Sequence, residues 1–133
     1  MIFWDACAII YFVEGASPWA ERLFDTLEAL RQPNQQHAIS QLSILECRIK
    51  PRRERDDKTL ARYDHFFSRT DLIIAPISSD VLARATDLRA FTGLKTPDAI
   101  QAATALALSQ NPVFITNDAS FARVAAFDLR LLT

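Results

Sequence analysis

The sequence predicts a three-layer α/β fold, in which a mainly parallel central sheet of about five strands is flanked by helices. Short apolar runs of β character alternate with longer segments of helical periodicity, a pattern typical of parallel sheets whose strands are joined by helices. The chain has 133 residues, of which 50% are hydrophobic and 23% are charged. We therefore expect one domain over residues 1–133, large enough to fold without a disulfide framework or a structural metal.

The first elements follow from an apolar run and a proline. Residues 2–4 predict a buried strand, and a helix is expected over about 6–13. Ser17 and Pro18 then supply an N-cap and a proline at the first position of a second helix. One face of that helix is apolar and consists of Trp19, Leu23, Leu27 and Leu30.

The middle of the chain continues the alternation. Residues 37–39 predict the second strand, and Ser40 can cap a helix that runs to about Lys50, where Pro51 stops it. A further helix carries a set of spaced apolar residues, namely Leu60, Tyr63, Phe66 and Phe67.

The last elements are bounded by glycine and proline. Residues 72–77 predict the third strand, and Ser79 opens a helix that ends near Gly93. Thr96 and Pro97 open the next helix. Two strands and a short helix complete the fold: strands at 112–115 and 129–132, and a helix from about 118.

Composition excludes several classes of function. Because Gly15 and Gly93 are the only glycines, the chain has neither the glycine-rich dinucleotide motif nor a P-loop. Cys7 and Cys47 match no zinc-ligand spacing. Fifteen Lys and Arg against sixteen Asp and Glu give a formal net charge of −1. The chain is therefore not a basic nucleic-acid coat, although a local basic groove is compatible with this balance.

We expect neither a membrane segment nor an export signal. The amino terminus lacks a basic region, and Asp5 interrupts its apolar run, which is unlike a signal peptide. The longest charge-free stretch, 99–117, contains polar residues and the helix-breaking pair Asn111–Pro112. The expected location is the cytoplasm, with both thiols reduced.

Four acidic residues occupy unusual positions: Asp5, Glu46, Asp98 and Asp118. Asp5 directly follows the first strand, Asp118 closely follows the fourth, and Asp98 lies in the first turn of a helix predicted to be buried. Each of these three also has a structural explanation, as an N-cap or as a partner of the helix dipole. Position alone divides the functional and structural interpretations about evenly.

Helix geometry gives a test for Glu46. At about 100° per residue from Leu42, Ile49 lies at about 340° and Glu46 at about 40°. Leu45, at about 300°, belongs to the same apolar stripe, so Glu46 falls inside it. For Glu46 considered alone, a residue at the edge of the stripe that reaches solvent is the slightly favoured alternative.

The combination of the acids predicts a metal site. Ligands of parallel sheets bind beyond the carboxyl ends of the strands, where Asp5, Asp118 and the start of the Glu46 helix are expected. The sequence pattern does not place Asp98 at this edge, because its position depends on tertiary packing. Converging carboxylates require a counter-cation, and oxygen ligands favour Mg²⁺ or Mn²⁺ over zinc. Ions held in this way support phosphodiester hydrolysis.

The segments around these acids resemble the PIN domain family, and more narrowly the VapC-type ribonuclease toxins of toxin–antitoxin pairs. The resemblance spans the whole chain and rests on IFWDACAIIY (2–11), SILEC (43–47), TPDAIQAA (96–103) and FITNDASF (114–121). It implies a PIN-like fold in which Asp5, Glu46, Asp98 and Asp118 form the catalytic site and hold one or two Mg²⁺ or Mn²⁺ ions. It also implies cleavage of single-stranded or looped RNA by metal-activated water, a cognate antitoxin as partner, and a homodimer.

One position departs from the family pattern. After the first acid the family usually has Thr or Ser and then Ser or Asn, whereas Ala6 and Cys7 stand here. Because a thiol is a weak hydrogen-bonding group, we expect the support of Asp5 to differ. This difference bears on the rate more than on the type of reaction.

Two other classes of function compete with a metal-dependent endoribonuclease. A phosphatase or phosphotransferase with an aspartyl nucleophile commonly has a second Asp two residues later, where this chain has Cys7. A receiver domain would need a Lys near the last strands, and none follows Lys95. The other alternative is a non-catalytic RNA-binding or partner-binding module, which has no need of clustered, mutually repelling carboxylates.

Overall fold

The computed structural model describes residues 1–133 and contains a five-stranded parallel sheet in the order β3-β2-β1-β4-β5. The strands are β1 Ile2–Trp4, β2 His37–Ser40, β3 Leu72–Ala75, β4 Val113–Thr116 and β5 Asp128–Leu131. β1 is central and pairs with β2 on one side and β4 on the other. The predicted α/β architecture is confirmed.

Helices join the strands and cover both faces of the sheet. They are α1 Ala6–Glu14, α2 Trp19–Ala29, α3 Gln41–Arg53, α4 Asp57–Phe67, α5 Ser79–Thr92 and α6 Thr96–Leu108, and a 3₁₀ helix, Ala119–Arg123, precedes β5. None of the helices has the length and apolar character needed to cross a membrane.

The sheet separates two hydrophobic cores because successive strand side chains point to opposite faces. Ile2 and Trp4 of β1 belong to the core that includes residues of α1, α2, α3 and α4. Phe3, between them, belongs to the core that includes residues of α5 and α6. The buried face of α6 consists largely of alanines, as its nearly all-apolar sequence predicted, so this helix can approach its neighbours closely.

The prediction that Pro51 ends α3 is wrong, because the helix passes through it and ends at Arg53. A helical proline lacks the N–H that would bond to the carbonyl four residues earlier. The rest of the last turn keeps its bonds: the Glu54 N–H donates to the Lys50 carbonyl at 3.0 Å. Pro51 itself is buried.

The start of α2 also differs from the prediction. Pro18 occupies the N-cap position after a cis peptide bond, and no side chain caps the helix. The Ser17 hydroxyl donates to the carboxylate of Glu21 instead of accepting from the backbone.

Two boundaries near the third strand are shifted. β3 ends at Ala75, because Pro76 has no N–H for the sheet ladder. The helix that follows is capped by Ser78, whose hydroxyl accepts from the Val81 N–H at 3.1 Å, and Ser79 is its first residue. Either serine satisfies the capping rule, so the pattern alone could not choose between them.

The buried face of α3 is not the apolar stripe that the sequence predicts. Leu45 and Ile49 are 58% and 51% exposed, whereas Ser43 and Cys47 are buried. The inward-facing side chains are small: the Ser43 hydroxyl accepts from Gln101 of α6, and the Cys47 thiol contacts the Ala6 carbonyl of α1. Glu46 is half-buried and bonds to Gln101 of α6, although the apolar stripe from which its placement was predicted is largely exposed.

Candidate active site

The four acids singled out in the sequence lie at the carboxyl edge of the sheet. Asp5 follows β1, Asp118 follows β4 by two residues, Glu46 is in the second turn of α3 after β2, and Asp98 is in the first turn of α6. They are close enough to act on one another electrostatically. The charges of Glu46 and Asp98 contribute to raising the pKa of Asp5, and that of Asp118 contributes to raising the pKa of Asp98.

Asp5 is the most buried of the four, with 9% of its surface exposed. Its Oδ1 accepts from the Ala6 N–H at 2.9 Å and caps α1, and its Oδ2 accepts from the Thr116 hydroxyl at 2.7 Å. Burial raises its pKa to about 6, although these two hydrogen bonds act in the opposite direction. The same carboxylate is therefore both a helix cap and a member of the acidic cluster.

Thr116 links Asp5 to Asp118, and sequence reasoning did not identify it. It is the last residue of β4 and is fully buried. Its hydroxyl donates to Asp5 and accepts from the Asp118 N–H at 3.1 Å. Asp118 in turn caps the 3₁₀ helix by accepting from the Ser120 N–H at 2.9 Å. A hydroxyl at the end of an otherwise apolar strand was the available signal.

Glu46 is contacted by a second residue that the sequence did not single out, Gln101. This amide belongs to α6 and is 1% exposed. Its Nε2 donates to Glu46 Oε1 at 2.7 Å and to Ser43 Oγ at 2.9 Å. Burial raises the pKa of Glu46, and the charge of Asp98 adds to the effect, whereas the bond from Gln101 opposes it. A polar side chain within a buried, alanine-rich helix was the signal for Gln101.

Asp98 reaches the edge of the sheet because α6 packs against α3. Gln101, one turn after Asp98, bonds to residues of α3, and the Thr104 hydroxyl lies 3.4 Å from the hydroxyl of Ser40 at the end of β2. Asp98 is half-buried, and its pKa is raised by burial and by Asp118 while Lys95 opposes the shift.

The donor set fits a hard divalent cation. Asp5, Glu46 and Asp98 each have a raised pKa, for which burial is the main cause and a neighbouring carboxylate a further one. A cation offsets both costs, and carboxylate oxygens are preferred ligands of Mg²⁺ and Mn²⁺. No group of three or more His, Cys, Asp or Glu side chains is arranged to hold a metal ion in this structure.

The model of one protein family matches nearly the whole chain. It is described as the PIN domain, and the match covers residues 2–127, which include all four acids. A comparison with curated protein sequences gives no significant match.

Solved structures with the same fold come from toxin–antitoxin systems. A toxin–antitoxin complex from Klebsiella pneumoniae is 26% identical, with a TM-score of 0.74 over 96% of this chain and 95% of that chain. VapBC2 from Rickettsia felis, bound to a promoter DNA fragment, is 21% identical, with a TM-score of 0.77 and 98% of each chain covered. VapC20 of Mycobacterium tuberculosis, described as a sarcin-ricin loop cleaving toxin, is 16% identical, with a TM-score of 0.74 over 98% of this chain and 99% of that chain.

Proposed function

The chain belongs to the PIN domain family, and from this premise we propose that it is a metal-dependent endoribonuclease that hydrolyses RNA phosphodiester bonds. One observation carries the proposal: Asp5, Glu46, Asp98 and Asp118, from four separate segments, come together at one edge of the sheet. Binding without catalysis would not require such a costly arrangement of like charges.

The acids are proposed to hold Mg²⁺ or Mn²⁺. An ion held by these acids would supply Lewis-acid chemistry: it would polarise a phosphoryl oxygen, lower the pKa of a water molecule and offset charge on the leaving oxygen. The chain supplies the orientation of the ligands, since Thr116 and the Ala6 N–H fix the two oxygens of Asp5. Burial raises the pKa of Asp5, and a bound cation would favour its ionised form.

The proposal extends to the biological setting of the enzyme. Residues 1–133 form one PIN domain that acts in the cytoplasm as the toxin of a type II toxin–antitoxin pair, on single-stranded or looped RNA. The structural likeness to toxin–antitoxin complexes supports the antitoxin partner, and the described activity of VapC20 supports RNA as substrate. A homodimer is part of the proposal and is tested by sedimentation of the purified protein.

RNA cleavage by Asp98→Asn tests the proposal. The substitution removes one carboxylate charge and keeps the shape of the side chain, so the fold should persist while cleavage falls by at least about 100-fold. The matched control is Asp87→Asn, the same change at an exposed acid of the neighbouring helix α5, which should cleave like the parent.

Two outcomes contradict the proposal. If folded Asp98→Asn cleaves RNA like the parent, the acidic cluster does not take part in the reaction. If the parent cleaves RNA equally well in EDTA, the reaction does not depend on a metal ion. A parent that binds RNA without cutting it under any metal condition would instead favour the non-catalytic binding module.

A further inference from the structure

Gln101 is a polar residue in a place where apolar packing is the rule. It is 1% exposed, and its neighbours along the inner side of α6, Ala99, Ala102 and Ala105, are also buried. A buried amide destabilises the fold unless its polar atoms find partners. A helix that needed only to pack here would carry an apolar side chain.

The amide satisfies its nitrogen and leaves its oxygen without a partner. Nε2 donates to Glu46 Oε1 at 2.7 Å and to Ser43 Oγ at 2.9 Å, whereas Oε1 is buried with no hydrogen bond. The opposite orientation of the amide would set its carbonyl against a carboxylate. A hydroxyl can donate or accept, but an ionised carboxylate only accepts, so Glu46 decides the orientation.

A single side-chain hydrogen bond holds Glu46, whereas the carboxylate of Asp5 is bonded through both of its oxygens. Asp5 is fixed through both of its oxygens, and Asp118 through the cap to Ser120. Glu46 has the longer side chain, and its carboxylate makes no hydrogen bond other than the one from Gln101. Bonds to an ionised acceptor are about twice as strong as neutral ones, so this bond can restrict the side chain.

We propose that Gln101 is a positioning residue that holds the carboxylate of Glu46 towards the other acids. The role rests on the proposed function, because Glu46 needs to be held only if it is a metal ligand. Among the four acids, Gln101 forms a hydrogen bond with Glu46 alone. Its removal should therefore weaken metal binding without removing a ligand.

Calorimetric titration with Mn²⁺ alone tests this role, without RNA and without an activity measurement. Gln101→Met keeps nearly the same volume but has no N–H donor. We expect its affinity for Mn²⁺ to fall roughly 10- to 100-fold, as is typical when a group that orients a metal ligand is lost. If this variant does not fold, Gln101→Asn carries the same expectation, because its amide is one methylene too short to reach Glu46.

Two control variants separate positioning from general packing. Thr104→Val removes a fully buried hydroxyl from the same helix, whose bonds go to Ile100 and Ser40 rather than to an acid. Ser43→Ala removes the second partner of Gln101 and leaves the bond to Glu46. Both are expected to alter the free energy of unfolding while the affinity for Mn²⁺ stays close to that of the parent.

A double-mutant cycle with Glu46→Gln completes the test. If Gln101 acts through Glu46, the double variant binds Mn²⁺ as Glu46→Gln alone does, within about twofold. Additive losses, or parent-like affinity of folded Gln101→Met, would overturn the positioning role while leaving the proposed function intact. A parent that binds no Mn²⁺ would overturn the proposed function and the positioning role with it.

Discussion

Cys7 lies against the two side chains that define the centre of the candidate site. Its Sγ is 3.7 Å from Asp5 Oδ2 and 3.6 Å from the Thr116 hydroxyl. Burial raises the pKa of the thiol to about 12, and the nearby charge of Asp5 adds to this effect. The group is therefore a neutral, weak donor at pH 7 rather than a thiolate.

Cys7→Ser should retain or increase RNA cleavage, because a hydroxyl is the stronger donor to a carboxylate. The measurement is kcat and KM on one RNA substrate. Cys47→Ser is the matched control: this thiol is 2% exposed and contacts the Ala6 carbonyl at 3.9 Å, not a carboxylate. The control should lose stability and keep its kcat. Complete loss of cleavage in folded Cys7→Ser would show that the thiol has a role that hydrogen bonding to Asp5 does not explain.

At the scale of elements, local patterns predicted the strands, the order of the helices and the apolar faces of α2 and α4, but not the face that α3 buries. The stripe containing Leu45 and Ile49 predicted that Glu46 faces inward, yet those two residues are largely exposed. The inward face of α3 contacts α1 through Cys47 and α6 through Ser43, and such contacts are a tertiary property. The contact from Gln101 to Glu46 joins residues 55 positions apart, and no periodicity within one helix contains that information.

A second polar contact joins the last residue of β1 to the first residue of β2. The Trp4 indole Nε1–H donates to His37 Nδ1 at 3.1 Å and links β1 to β2. Both residues line a cavity of about 290 Å³. Burial lowers the pKa of His37; Asp71 opposes this shift, while Arg69 and the amino terminus reinforce it. Protonation of Nδ1 would remove the acceptor of the indole bond.

This contact should make stability depend on pH. Because the pKa of His37 is lower in the folded protein than its ordinary value of about 6.5, the unfolded chain binds the proton first as the pH falls. The stabilising contribution is present above about pH 6.5 and is lost as the pH falls through the folded pKa. His37→Gln cannot titrate, so its deficit in unfolding free energy relative to the parent should shrink between pH 7.5 and pH 5.

Urea unfolding of the parent and His37→Gln at both pH values measures this effect. His65→Gln is the control, because His65 is exposed on α4 and has no part in the indole bond. The difference in unfolding free energy between His65→Gln and the parent should change less with pH than the difference between His37→Gln and the parent. A deficit of His37→Gln that is the same at both pH values would contradict the assignment.

At the scale of the whole molecule, folding gathers like charges that the unfolded chain keeps apart. The formal net charge is only −1, but the four acids stand at one edge of the sheet, and three of them have pKa values raised by burial and by one another. The fold therefore carries a local electrostatic cost that its overall charge does not reveal. The sequence could predict the positions of the acids that follow strands. The position of Asp98 could not be predicted, because it depends on packing between distant segments.

A cation that binds this edge should stabilise the folded protein and not the unfolded chain. At a hundredfold excess over its dissociation constant, Mn²⁺ should raise the free energy of unfolding by about 2.7 kcal/mol. Glu46→Gln removes one charge with little change of shape. It should melt no lower than the parent in EDTA, because repulsion is reduced, yet it should gain much less when Mn²⁺ is added.

Thermal melts with EDTA and with Mn²⁺ compare the parent, Glu46→Gln and the control Glu54→Gln. Glu54 is exposed at the carboxyl end of the same helix, so its variant should show the full metal-induced shift of the parent. Equal shifts in the parent and Glu46→Gln would remove Glu46 from the metal site. No shift in the parent would mean that the charges gathered by folding are tolerated without a cation, and the metal-dependent mechanism would lose its physical basis.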